Sequence, residues 1–230
     1  MRMVKCSGIM FILTLVCVVS INGQGLFFDK GRSGFYLTGG FCKGNNTYSE
    51  TGVEIGWVTK GDANLGLRLN HASISETLLT TGPVGQRKYY NIKNEVWNPG
   101  FFFTEYPLRR LNDKGQELVL SLHQSLSWLA LDMPPFNNTL RIVQIGGGVA
   151  YSVPVEDKIR FYLSGAFTQS LPQGKPSYGT FEIDLSLRVP FRKGSFVFGP
   201  AVAFSEDITA YGFNVGLMSG GLSKKLNMDF

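Results

Sequence analysis

The sequence predicts an all-β fold: an antiparallel transmembrane β-barrel of about ten strands, eight being the alternative count. Three observations carry that expectation. The stretch from Tyr178 to Val189 alternates without a break, with Phe181, Ile183, Leu185, Leu187 and Val189 against Thr180, Glu182, Asp184, Ser186 and Arg188. A strand sends successive side chains to opposite faces, so one face is apolar and the other charged. Beyond the first 24 residues no apolar run approaches the roughly 20 residues of a spanning helix. A chain so built can enter a membrane only as a closed barrel, because lipid leaves no partner for unpaired backbone. Finally, short turns alternate with longer polar connections, as in barrels whose turns face the periplasm and whose loops face outward. A soluble sandwich or a closed soluble barrel also alternates, with its polar face in water. It has no reason to sort its connections by length.

Residues 1–24 read as a signal peptide. Arg2 and Lys5 precede an apolar run from Ile9 to Val19, and small or polar residues close it. Cys17 follows Val16, which is not the small residue a lipoprotein site needs. Residues 25–230 then form one domain, an outer-membrane barrel. Loss of the signal removes two basic residues and no acid, leaving 20 basic against 17 acidic residues. That balance implies no nucleic-acid partner. Cys6 and Cys17 leave with the signal, so Cys42 stands alone and no intramolecular disulfide forms.

In chain order, Gly34 to Cys42 alternates around Phe35, Leu37 and Phe41. Val53, Ile55 and Trp57 follow, with Glu50 and Glu54 on the other face. Lys60-Gly61-Asp62 is a tight turn. Leu65, Leu67 and Leu69 then oppose Arg68 and Asn70, and 73–87 reads as a long polar loop. The region 88–108 holds a strand interrupted at Pro99-Gly100, where a bulge or a strand start is expected. Arg109-Arg110 and Asn112 to Gly115 read as turns. Leu118, Leu120, Leu122, Leu126 and Trp128 share one face of the next strand, with His123 and Ser125 on the other. A loop with Pro134-Pro135 covers 132–138. The remaining strands centre on Val149, Phe161, Leu185, Phe198 and Phe213. Trp57, Trp97, Trp128, Tyr151 and Tyr211 suit interfacial aromatic girdles.

The chain ends Leu226-Asn227-Met228-Asp229-Phe230. The stretches 99–106 (PGFFFTEY) and 146–151 (GGGVAY) sit beside long alternating strands. In these features residues 33–230 resemble small bacterial outer-membrane barrels of the Bacteroidetes-type OmpA/OmpX-like class. The resemblance implies that Phe230 is an assembly signal read by the barrel-assembly machinery. It also implies outer-membrane lipid as surroundings, and surface or secretion partners at the loops.

The polar inner face carries Glu50, Glu54, Arg68, Glu105, Arg160, Glu182, Asp184 and Arg188. Side chains fill a small barrel, and buried charges need partners. These residues are therefore expected to form a lumen network plugging the barrel, with a structural or surface-interaction role for the protein. Pairing Trp57 with Leu65 sets Glu54 opposite Arg68. His123 and Ser125 suggest a rival, a lipid-modifying enzyme with a His-activated Ser nucleophile. They face inward, however, away from any acyl chain. A narrow diffusion channel or a secretion-machine subunit is the other alternative. No P-loop, dinucleotide or zinc motif occurs, and His71 and His123 lie on separate strands, so neither a cofactor nor a metal is expected.

Overall fold

The computed structural model describes residues 31–44, 48–81, 87–133, 136–156, 159–192, 194–205 and 208–219. The signal segment 1–24 and the C-terminal Phe230 lie outside the described residues. Ten strands follow one another: β1 (Gly34–Gly44), β2 (Tyr48–Thr59), β3 (Ala63–Thr81), β4 (Arg87–Leu111), β5 (Glu117–Met133), β6 (Phe136–Pro154), β7 (Arg160–Pro172), β8 (Tyr178–Phe191), β9 (Gly194–Ser205) and β10 (Ile208–Ser219). Each pairs antiparallel with its chain neighbours, and β1 closes on β10. The barrel therefore has no free edge to satisfy.

Alternation decides what faces where. Phe35, Ile55, Leu67, Phe101 and Val215 are each more than half exposed, and together with the other odd-numbered apolar residues of these strands they form an outward belt. Thr38, Glu54, Arg68, His123, Gln144 and Asn214 point inward and are buried. This is the inverse of a water-soluble protein and suits a lipid-facing exterior. The five proposed girdle aromatics all lie on the outer face, with Tyr211 and Trp97 the most open to the surroundings.

Pairing once around the barrel also fixes its stagger. Gly34 leads through Val58, Asn64, Thr104, His123, Gly146, Thr168, Thr180 and Ser205 to Ile208. Ile208 lies two residues beyond Ala210, which pairs with Gly44. One circuit thus climbs about twelve residues, a shear that tilts ten strands and leaves an interior that side chains can fill.

The short connections have local causes. Lys60 and Gly61 both take positive φ, 49° and 69°, and the Asp62 amide donates to the Thr59 carbonyl at 2.9 Å. This is a type I′ turn, whose twist matches the flanking strands. At 112–116, Asn112 Oδ1 accepts from the amides of Lys114 and Gln116, and Gly115 supplies the left-handed position.

Four expectations change. The stretch 73–87 is not simply a loop, because β3 and β4 stay paired as far as Thr81 and Arg87. These strands exceed the nine to eleven residues a strand needs to span a bilayer, so their hairpin projects beyond the belt. Pro99 brings neither a bulge nor a strand start. The β4–β5 pairing lacks partners for Asn98 and Pro99, yet the register is the same on either side. Proline removes one donor without inserting a residue. The register shift lies instead between Glu105 and Leu108, around Pro107. Third, 132–138 is mostly strand, since β5 and β6 pair up to Met133 and Phe136. Arg109 and Arg110 are likewise strand residues of β4, not a turn.

Candidate functional site

The lumen is the candidate site, and its contents fall into levels along the axis. At the short-turn end lies a charged cluster. The carboxylate of Glu117, the first residue of β5, meets Arg109 of β4 at 2.9 Å and Arg160 of β7 at 3.5 Å. Arg109 also donates to the Gly61 carbonyl, and Arg160 donates to the Gly115 carbonyl and the Ser152 hydroxyl. Two guanidinium groups thus tie two turns to one acid. Arg188, one strand on, donates to Ser195 at 3.1 Å.

Above this cluster Tyr36, Val58, Phe102, Tyr162, Val197 and Met218 pack as one apolar cluster, and Tyr106, Val119 and Ala150 as another. Glycine makes room for the rings. Tyr36 pairs with Gly56 and Phe102 with Gly66. A Cβ on Gly56 would lie 2.6 Å from the Tyr36 ring, and one on Gly66 equally close to Phe102.

The middle level is polar. Asn64 donates to the Tyr36 hydroxyl, and Tyr36 donates to Glu54 at 2.7 Å. Arg68 donates to Ser125 and to Gln144, and Gln144 donates onward to Ser170 at 2.9 Å. Asn214 and Ser186 donate to Asp184, and Tyr48 to Glu50. Glu182 projects into the same space. Toward the loops the inward apolar side chains include Tyr48, Ala72, Val96, Leu129, Ile142 and Tyr178, none more than 5 % exposed.

Of the residues the sequence nominates, Glu54, Arg68, Glu182 and Asp184 meet at the middle level, and Arg160 and Arg188 sit at the turn end. Glu54 does lie opposite Arg68, with Trp57 on Leu65, Ile55 on Leu67 and Val53 on Leu69. The Arg68 guanidinium nevertheless reaches across to β5 and β6. Glu105 does not belong to the lumen: it is exposed on the outer face. Phe102, Thr104 and Tyr106 turn inward, so period two sends Glu105 out with Phe101 and Phe103. Arg109 and Glu117 were missed. Glu117 shares the parity of His123 and Ser125, which would have placed it inside. Arg109 was hidden by the bulge at Pro107 and by the reading of Arg109-Arg110 as a turn.

His123 and Ser125 both point inward, at 5 % and 7 % exposure. His123 Nδ1 lies 2.9 Å from the Thr104 hydroxyl, and its Nε2 has no hydrogen-bond partner among the described residues. The Ser125 hydroxyl is engaged by Arg68 and Gln144. Among the described residues, no three His, Cys, Asp or Glu side chains converge closely enough to ligate a metal.

No family model matches the chain, and no curated protein matches it. Solved structures do. The β-domain of the Bordetella autotransporter BrkA superposes with a TM-score of 0.52 at 11% identity, over 82% of this chain and 99% of that one. The translocator domain of the autotransporter NalP from Neisseria meningitidis gives 0.46 at 13% identity, over 94% and 96%. The transport unit of the autotransporter AIDA-I from Escherichia coli gives 0.42 at 12% identity, over 93% and 97%. At such identities the BrkA superposition speaks for the fold alone, and that fold is the closed antiparallel β-barrel of outer-membrane proteins.

Proposed function

We propose that this protein is an integral barrel of the bacterial outer membrane with a closed lumen, acting through its loop end rather than by conduction or catalysis. One observation carries the reading: the lumen is filled by inward side chains, with packed apolar clusters toward the turn end and buried apolar residues toward the loops on either side of its polar middle. An ion on the axis would have to pass both. The β3–β4 hairpin, paired well past the belt, gives the loop end an extended surface for a partner. Residues 1–24 serve as the export signal. The stretches 99–106 and 146–151 favour the small OmpA/OmpX-like class within this fold.

His123 and Ser125 take no catalytic part in this reading. A nucleophile needs a base within hydrogen-bond reach and room for substrate. The hydroxyl of Ser125 is held by Arg68 and Gln144, and both side chains are buried on the face away from lipid. The reading is tested in planar bilayers. The purified, folded protein is expected to leave the membrane electrically silent, and steady single-channel steps of uniform size would overturn it.

A further inference from the structure

The outer face is not uniform where β1 closes on β10. β1 turns Phe35, Leu37, Gly39, Phe41 and Lys43 outward. Gly39 lies between Val53 of β2 and Val215 of β10, its partners across the two ladders. Leu37, Phe41, Val53 and Val215 are each about half exposed, so a position without a side chain sits among four that project. The hollow opens into a groove of about 570 Å³ that reaches Phe213 and Leu217, within the size range of ligand sites.

Packing does not require the glycine. A Cβ on Gly39 would meet nothing closer than the Gly52 carbonyl oxygen at 3.5 Å, an ordinary contact, and its φ is not positive. Gly56 and Gly66 differ, since rings lie on them. At the loop end of the groove stands Lys43, two residues or roughly 7 Å beyond Phe41. It pairs across the ladder with Tyr211, which is 67 % exposed. Among the described residues Lys43 makes no ion pair or hydrogen bond, and β1, β2, β9 and β10 turn no acid outward. A free cation beside an open phenol, at the loop end of an apolar groove, matches a lipid whose chain lies in the belt and whose anionic headgroup lies at the interface.

We infer that the β1–β10 groove binds one phosphate-bearing lipid of the outer leaflet, with an acyl chain over Gly39 and the phosphate on Lys43. The inference rests on the membrane-barrel reading proposed above, with the loop end outward. A second copy of the chain fits this face less well. Lipid tails are as apolar as the groove walls, so apolar contact between barrels gains little. A two-fold partner in the same membrane would also bring its own Lys43 to the same level, with no outward acid to meet either one.

Native mass spectrometry tests it. The full chain is refolded into detergent micelles, and circular dichroism and heat-modifiable gel migration confirm the barrel before lipid is added. Dimyristoyl phosphatidic acid, or phosphatidylcholine with the same chains, is then titrated in. One phosphatidic acid per monomer is expected to stay bound, and phosphatidylcholine to bind severalfold more weakly. Gly39→Leu should abolish the bound lipid, whereas Gly165→Leu, on an outward glycine of β7 with room for a Cβ, keeps it. Lys43→Gln should weaken phosphatidic acid about fivefold, the worth of one basic residue at a lipid surface. It should leave phosphatidylcholine unchanged, and Lys43→Arg should restore the wild-type affinity. If Gly39→Leu does not fold, the two Lys43 variants decide. Equal binding of the two lipids, no bound lipid, or an undiminished count in Gly39→Leu overturns the inference. So does a dimer that Gly39→Leu dissociates, because a second copy then covers the groove. Failure of the wild type to form a barrel in micelles would instead overturn the membrane-barrel reading, and channel activity would overturn the closed lumen while leaving the lipid count as it is.

Discussion

Glu117→Gln is expected to destabilise the barrel by about 3–5 kcal/mol, the range for breaking one partner of a buried charge group. Glu117 is shared by Arg109 and Arg160, and the side chains of Glu117 and Arg109 are 8% and 2% exposed. The amide keeps the shape but removes the charge, which leaves two guanidinium groups facing each other at the turn end. The tethers to Gly61 and Gly115 would then hold like charges together. Urea unfolding in detergent, followed by tryptophan fluorescence, measures the loss. Arg109→Met combined with Glu117→Leu should recover much of it, because removing both partners avoids an orphan charge. A single mutant as stable as the wild type would show that water reaches this end of the lumen and screens it.

Gly56→Val is expected to cost about 1–3 kcal/mol through over-packing. The added Cβ would meet the Tyr36 ring at 2.6 Å. The ring cannot swing aside freely, since its hydroxyl is bonded to Glu54 and Asn64. Losing those bonds would add about 1 kcal/mol. The pair can be exchanged: Tyr36→Gly with Gly56→Phe puts an aromatic back over a glycine across the same rung. That double mutant should unfold at a higher urea concentration than Gly56→Val. If it is less stable than both single mutants, the apolar cluster around Tyr36 is not built on this complementarity.

The strands were legible wherever alternation was clean. Val53 to Trp57 against Leu65 to Leu69 admits one register, because a slip by one residue turns a whole apolar set inward. Legibility failed where composition and conformation part company. The stretch 73–81 is polar, which reads as loop, yet beyond a membrane belt a strand needs no apolar face. Pro99 reads as a break, but an unpaired rung tolerates a missing donor. Glu105 was placed by its charge instead of by its parity with Phe101 and Phe103. The lumen's acids could be found from alternation. Their partners could not, because Arg68 bonds across β5 and β6, and distances across a barrel depend on shear and side-chain reach. Arg109 and Glu117 needed both the bulge at Pro107 and the turn at 112–116 to be known.

The central claim is that this barrel wears its apolar residues on the outside, in lipid, and closes its polar residues within. Spin labels placed one at a time from Thr51 to Val58, in a cysteine-free background refolded into lipid bilayers, test it most directly. Collision with dissolved oxygen reports lipid, and collision with a water-soluble nickel chelate reports water. The expected result is a period of two, with oxygen access highest at Val53, Ile55 and Trp57, and both relaxers weak at Gly52, Glu54 and Gly56. High nickel access at Val53 and Ile55 would place that face in water and contradict the membrane barrel. High nickel access at Gly52 and Glu54 would contradict the closed lumen.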